Sequence, residues 1–153
     1  MTNRFVIIVP ARAASTRLPN KPMISINGRS LISRIIDLAH SSNAINTYIA
    51  TDNIEIKNHV ESLGANVVMT SEEHASGTDR IAEAAKKIDL PMNTPILNLQ
   101  GDEPLINPKE IDKIIDFFKQ NETTEILSLV KEISNLEELE SPNVVKVVST
   151  IFS

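Results

Sequence analysis

The sequence predicts an α/β fold: three layers, α/β/α, around a mostly parallel sheet. Two observations point there. Short continuous runs of Val, Ile and Leu recur along the chain, the pattern of strands buried on both faces. Between them lie segments whose apolar residues recur at helical spacing, joined by connections of a few residues. Strand alternating with helix implies parallel pairing through right-handed crossovers.

The first strand is Phe5-Val6-Ile7-Ile8-Val9, stopped by Pro10. Further strands are expected at 47–50, 65–69, 95–99, 125–130 and 143–148. A first helix presents Leu31, Ile32, Ile35, Ile36 and Ala39 on one face. A second carries Ile54, Val60 and Leu63, opened by Asp52 with Glu55 three residues on and closed by Gly64. Ile81, Ala82, Ala85 and Ile88 mark a third, with a hydroxyl N-cap expected at Thr78. Ile111, Ile114, Ile115 and Phe118 mark a fourth. Asn107 is its N-cap, Pro108 its first residue, and Glu110 completes a capping box. A short fifth helix is expected from Leu136 to Glu140. Nothing resembles a repeat, a linker or a domain boundary, so residues 1–153 read as a single domain.

Composition bounds the function. Of 153 residues, 41% are hydrophobic and 23% charged, which excludes wholesale disorder. The absence of cysteine excludes disulfides and thiolate chemistry. Aromatic residues make up 3%, with no Trp, so the rings on which nucleic-acid bases stack are lacking. A net charge of −5 points the same way: no nucleic-acid partner is expected. The apolar runs are too short to span a bilayer. No signal-peptide pattern precedes the first strand, so a cytoplasmic location without membrane insertion is expected. The charge is unevenly spread. The first 36 residues hold six Lys and Arg and no acid, whereas the other 117 hold nine cations and 20 acids. A cation cluster on an acidic protein suggests an anionic ligand near the N-terminus.

In parallel α/β sheets, ligands sit beyond the carboxyl ends of the strands. The loop after Val9, running from Pro10 to Pro22, is long for its kind. Arg12, Arg17 and Lys21 with Ser15 and Thr16 can surround phosphate oxygens from several sides. The loop contains no glycine, so it is neither a Walker A loop nor a dinucleotide fingerprint. Asp102 follows the strand at 95–99, where a carboxylate either binds a hard cation such as Mg2+ or serves an ordinary turn. His74, without a second ligand at metal spacing, is a weak metal candidate. His40 and His59, on expected helices, read as plain surface residues, and Asp52 as an N-cap rather than a catalyst.

These segments together resemble a known family. Val9-Pro10-Ala11-Arg12, Ser15-Thr16-Arg17-Leu18-Pro19 and Lys21-Pro22 resemble the signature of the sugar-activating cytidylyltransferases. The resemblance is closest to the 3-deoxy-D-manno-octulosonate (Kdo) cytidylyltransferases, or CMP-Kdo synthetases. Ala50-Thr51-Asp52, Met69-Thr70-Ser71 with His74, Ser76-Gly77-Thr78-Asp79-Arg80, Asn98-Leu99-Gln100-Gly101-Asp102-Glu103-Pro104 and Pro142-Asn143-Val144-Val145-Lys146-Val147-Val148 agree with it. The resemblance implies a nucleotidyltransferase (Rossmann-like) fold. It also implies cytidylyl transfer from CTP to Kdo, giving CMP-Kdo and pyrophosphate for lipopolysaccharide biosynthesis. Under it, Arg12 and Lys21 bind the triphosphate, and Asp102 binds Mg2+. Ser15 and Arg17 assist at the phosphates, while Ser76, Arg80 and Gln100 contact the nucleoside. The implied partners are CTP, Kdo and, for the family, a second copy of the chain.

The sequence departs from the family in two places. Asn20 stands where the family usually has Gly before the motif lysine, a position expected to need a positive φ. The family also continues beyond the strand ending at Val148, into a dimerisation segment, the sugar-acid contacts and a second metal-binding aspartate. The expectation is therefore a chain whose C-terminal part is missing, active in transfer or reduced to a CTP-binding fragment. Uncovered apolar sheet surface, with low stability or self-association, is expected to follow.

Overall fold

A computed structural model describes residues 5–13, 18–121 and 123–148. The chain divides into two compact units after Asn121.

The first unit is built on a four-stranded parallel sheet. Its strands are β1 (Val6–Ala11), β4 (Asn46–Thr51), β5 (Asn66–Met69) and β6 (Ile96–Asn98), in spatial order β5-β4-β1-β6. β1 is central, and every residue from Phe5 to Val9 is at most 1% exposed. Its side chains alternate between two cores. Ile7, Val9 and Ala11 pack with α1 (Leu31–His40), α2 (Ile54–Ser62) and α4 (Pro108–Gln120). Val6 and Ile8 pack with Ile81 and Ala84 of α3 (Gly77–Lys87) on the opposite face. Each fully buried Ile contributes about 1.5–3 kcal/mol of transfer free energy. The three layers expected from the sequence are present.

Local chemistry differs from expectation at several helix ends. α2 is capped by Asn53, whose Oδ1 accepts from the amides of Glu55 (2.9 Å) and Ile56 (3.0 Å). Asp52, the expected cap, is held elsewhere. The α2 C-terminus is closed as read. Gly64 has φ 75°, its N–H donates to Glu61, and the Ala65 N–H donates to Val60, which is a Schellman motif. α3 is capped by Ser76, not Thr78, because Ser76 carries the extended backbone that turns its hydroxyl toward the Asp79 amide. Asn107 caps α4, but the Glu110 carboxylate takes Lys113 Nζ at 2.9 Å, so only half of the expected box forms. His59 is not a plain surface residue. Its Nε2 lies 2.7 Å from Oγ of Ser30, the N-cap of α1, and so ties α2 to α1.

One element was not expected. β2 (Ser25–Ile26) and β3 (Arg29–Ser30) form an antiparallel hairpin. Asn27 (φ 49°) and Gly28 (φ 76°) are its turn, the backbone of a type I′ connection.

The second unit holds the short helix α5 (Leu136–Glu140), capped by Asn135. The strands expected at 125–130 and 143–148 are absent. An apolar run becomes a strand only where a neighbour completes its hydrogen-bond ladder, and no described segment pairs with either run. Ile126, Val145 and Val148 are accordingly 87%, 91% and 92% exposed.

Candidate functional site

From β1 the chain winds outward through β4 to β5, then returns to pair β6 with the other edge of β1. The order reverses beside β1, and in open α/β sheets this switch point opens a crevice at the strands' carboxyl ends. The loops leaving β1 and β6 flank it. They carry Arg12 and Lys21 on one side, Gln100 and Asp102 on the other.

The two loops meet. Lys21 opens a 3-10 turn, Lys21–Met23, anchored by the buried Pro22. Asn20 precedes it with φ 54° and ψ 33°, the left-handed conformation expected where the family has Gly. Its amide donates to the Ala13 carbonyl at 3.0 Å, closing the loop on itself. Lys21 Nζ then reaches Asp102 Oδ2 at 2.6 Å, across 81 residues of sequence. Both side chains remain accessible, 36% and 51% exposed. Arg12 is exposed just past the end of β1.

Pro10 is the point where three segments converge. A Cβ on Gly101 would lie 3.3 Å from the Pro10 carbonyl oxygen, and one on Gly77 would lie 3.2 Å from Pro10 Cγ. Glycine at both positions lets the β6 loop and the start of α3 close on β1. The cavity left there, about 170 Å³, is lined by Pro10, Arg12, His74, Ala75, Ser76, Gly77, Arg80 and Gln100. It is smaller than the roughly 300–1,000 Å³ that encloses a whole drug-sized ligand.

The sequence-predicted residues around the cavity differ in how firmly they are held. Arg80 is 2% exposed. Its Nη1 donates to Thr70 Oγ1 and its Nη2 to Asp52 Oδ2, each at 2.5 Å. Ser76 Oγ accepts from the Asp79 amide and donates to Asp79 Oδ2 at 2.7 Å. Gln100 is exposed and donates to Asn98 Oδ1 at 2.8 Å. Ser15 and Arg17 lie outside the described residues.

Three supporting residues escaped the sequence reading: Asp52, Thr70 and Glu83. Asp52 carried a signal, since it follows a buried strand as Asp102 does. Glu83 accepts from the Ser71 amide at 2.8 Å and from Lys87 Nζ at 2.7 Å, and it contacts His74 Nε2. The Lys87 ammonium, the Ser71 N–H and His74 together lower its carboxyl to about 2. Among the described residues no cluster of three His, Asp or Glu side chains is placed to hold a metal ion.

Comparison with known proteins gives this site a context. A family model described as cytidylyltransferase matches residues 6–151. A relative named 3-deoxy-manno-octulosonate cytidylyltransferase from Marinobacter nauticus is 42% identical over 144 residues, covering 94% of this chain and 55% of its own. That of Haemophilus influenzae is 43% identical over 145 residues, covering 95% and 57%. The chain thus spans about half the length of the curated relatives it matches. Among solved structures, CMP:2-keto-3-deoxy-manno-octonic acid synthetase complexed with CTP superposes with a TM-score of 0.72 and 32% identity, covering 78% of this chain and 49% of that one. A cytidylyltransferase from Leptospira borgpetersenii gives a TM-score of 0.60 and 25% identity, covering 80% and 51%. No described helix is long and apolar enough to cross a membrane. The switch-point sheet, the glycine-free cationic loop after β1 and the match over 6–151 lead to one conclusion: the chain belongs to the cytidylyltransferase family.

Proposed function

We propose that this chain forms the CTP-binding part of an enzyme that transfers a cytidylyl group from CTP to 3-deoxy-D-manno-octulosonate. The products are CMP-Kdo, the activated sugar for lipopolysaccharide assembly, and pyrophosphate. One observation carries the reading: Lys21 faces Asp102 at the switch point, beside a cavity lined by Arg12 and Arg80. Family membership and the names of the relatives support the choice of CTP and Kdo.

In the reaction, the anomeric hydroxyl oxygen of the sugar acid bonds to the α-phosphorus. The bond from that phosphorus to the bridging oxygen breaks, pyrophosphate leaves, and the hydroxyl proton is lost. No covalent enzyme intermediate forms, so positioning and charge stabilisation supply the catalysis. Arg12 offers a planar fork to two phosphate oxygens, and Lys21 offers a mobile point charge. Arg17 and Ser15 add donors from the same loop. Ser76, Arg80 and Gln100 border the cavity that takes the nucleoside end.

Asp102 fits a divalent cation as one oxygen ligand among several. Its carboxylate is half exposed and held only by Lys21, and no second described acid completes a cage. Mg2+ would therefore be shared between Asp102 and the nucleotide's phosphates. When bound, it neutralises phosphate charge.

Titration calorimetry with CTP, ATP, GTP and UTP in the presence of Mg2+ tests the binding. CTP is expected to bind most tightly, and Arg12→Ala and Lys21→Ala each to weaken it about ten- to a hundredfold. Equal affinity for all four nucleotides, or variants that bind like the parent, overturns the reading. Adding Kdo and measuring pyrophosphate tests the transfer. Binding without release restricts the chain to nucleotide binding.

A further inference from the structure

The cavity has one lining residue that the reading above leaves idle. His74 sits in the connection between β5 and α3, one-fifth exposed. Its Nε2 contacts the Glu83 carboxylate, which is also fixed by the Ser71 amide and by Lys87, itself bonded to the Met69 carbonyl at 2.8 Å. A ring pinned from behind by this many partners has its orientation set before any ligand arrives.

We infer that His74 is a further ligand-contacting residue of this cavity, presented by Glu83 as a positioning residue, and that it binds phosphate oxygens. This inference rests on the nucleotide-binding reading above. The argument runs through the tautomer. Glu83 stays ionised across the neutral range, because its neighbours hold its carboxyl near 2. A carboxylate only accepts, so Nε2 keeps its proton whether the ring is neutral or charged. Nδ1 is left to gain or lose one.

The surroundings decide the sign. Arg12 and Arg80 line the same cavity, and Lys87 stands behind Glu83. Lys21 and Asp102 face each other at the cleft edge, Asp79 is bonded to Ser76, and Glu72 and Glu73 lie exposed beside the ring in sequence. Arg80 is already neutralised by Asp52. With Nδ1 protonated, the ring adds a charged donor for an anion. With Nδ1 bare, it presents a lone pair that repels one. Nucleotide binding should therefore tighten as pH falls through the histidine range, with proton uptake on binding.

Calorimetric titration of the full chain with CTP between about pH 5.5 and 8.5 tests this. Two buffers of different ionisation enthalpy count the protons taken up. The terminal phosphate of CTP titrates in the same range, so His74→Gln is the reference. The parent is expected to gain about tenfold in affinity from the alkaline to the acid end relative to His74→Gln, whose proton uptake falls. Glu83→Gln is expected to lose part of this gain, and it carries the test if His74→Gln does not fold. Cytidine, without phosphates, should show no such slope. If the parent binds CTP and both variants reproduce its pH profile, the role of His74 is overturned while the nucleotide site stands. If the parent binds no CTP at any pH, the nucleotide reading itself falls, and this inference with it.

Discussion

Two ion pairs at the same end of the sheet are built in opposite ways. Arg80 and Asp52 are 3% and 12% exposed, and Thr70 Oγ1 accepts from a second guanidinium nitrogen. Lys21 and Asp102, at an almost equal separation of 2.6 Å, are 36% and 51% exposed, and both sit on loops. A buried charge without its partner is expensive, so the first pair is locked by the fold. An exposed pair gains little over hydration, so the second can part when a better partner arrives. The difference separates a charge that shapes the cavity wall from one free to follow a ligand.

The sharpest way to break the comparison is Asp52→Ala. It leaves the Arg80 guanidinium buried with only Thr70, and a loss of about 3–5 kcal/mol in urea unfolding is expected. Arg80→Met in the same background should recover much of that loss, because the orphaned charge is gone. A double variant as unstable as Asp52→Ala alone would show that the aspartate acts otherwise. Thr70→Val keeps the shape and removes one acceptor of a charged donor, so a smaller loss of about 1–3 kcal/mol is expected.

The buried pair was also the harder one to read in the sequence. β1 is legible because every side chain from Phe5 to Val9 is apolar, and the cationic loop because its charges are local. The left-handed backbone at Asn20 follows from the residue type alone. Asp52 was read as a cap because Glu55 stands three residues on. The cap is Asn53, one position later, and Asp52 is recruited by Arg80 from 28 residues away. Short-range pattern does not register such a partner. The hairpin at 25–30 was missed for another reason: Asn27-Gly28 is a strong turn signal, but two-residue arms are too short to show alternation. The runs at 125–130 and 143–148 show the reverse error, where apolar composition alone was taken for a strand.

Glu83 lies between the two regimes, about one-quarter exposed with three donors on its carboxylate. Its carboxyl is lowered from 4.5 to about 2 by Lys87, the Ser71 amide and His74. A depressed pKa gives stability that is whole above the unfolded-state value and is lost as pH falls through the folded one. Compared with Glu83→Gln, the parent should hold a constant stability advantage above about pH 5. That advantage should shrink from pH 4.5 toward 2, as followed by urea unfolding at each pH. An advantage that persists unchanged at the acid end would contradict the network.

The smallest effect on stability belongs to the exposed pair, and it sharpens the contrast most. Lys21→Met or Asp102→Asn should change unfolding free energy by less than about 1 kcal/mol, and salt should shrink even that. A loss comparable to that of Asp52→Ala would mean that the pair is a structural clasp bridging the loops after β1 and β6. Near-neutral unfolding combined with weakened CTP binding has another meaning. Lys21 would then be held beside Asp102 only until phosphate oxygens replace it, because the two variants perturb a ligand and leave the fold alone.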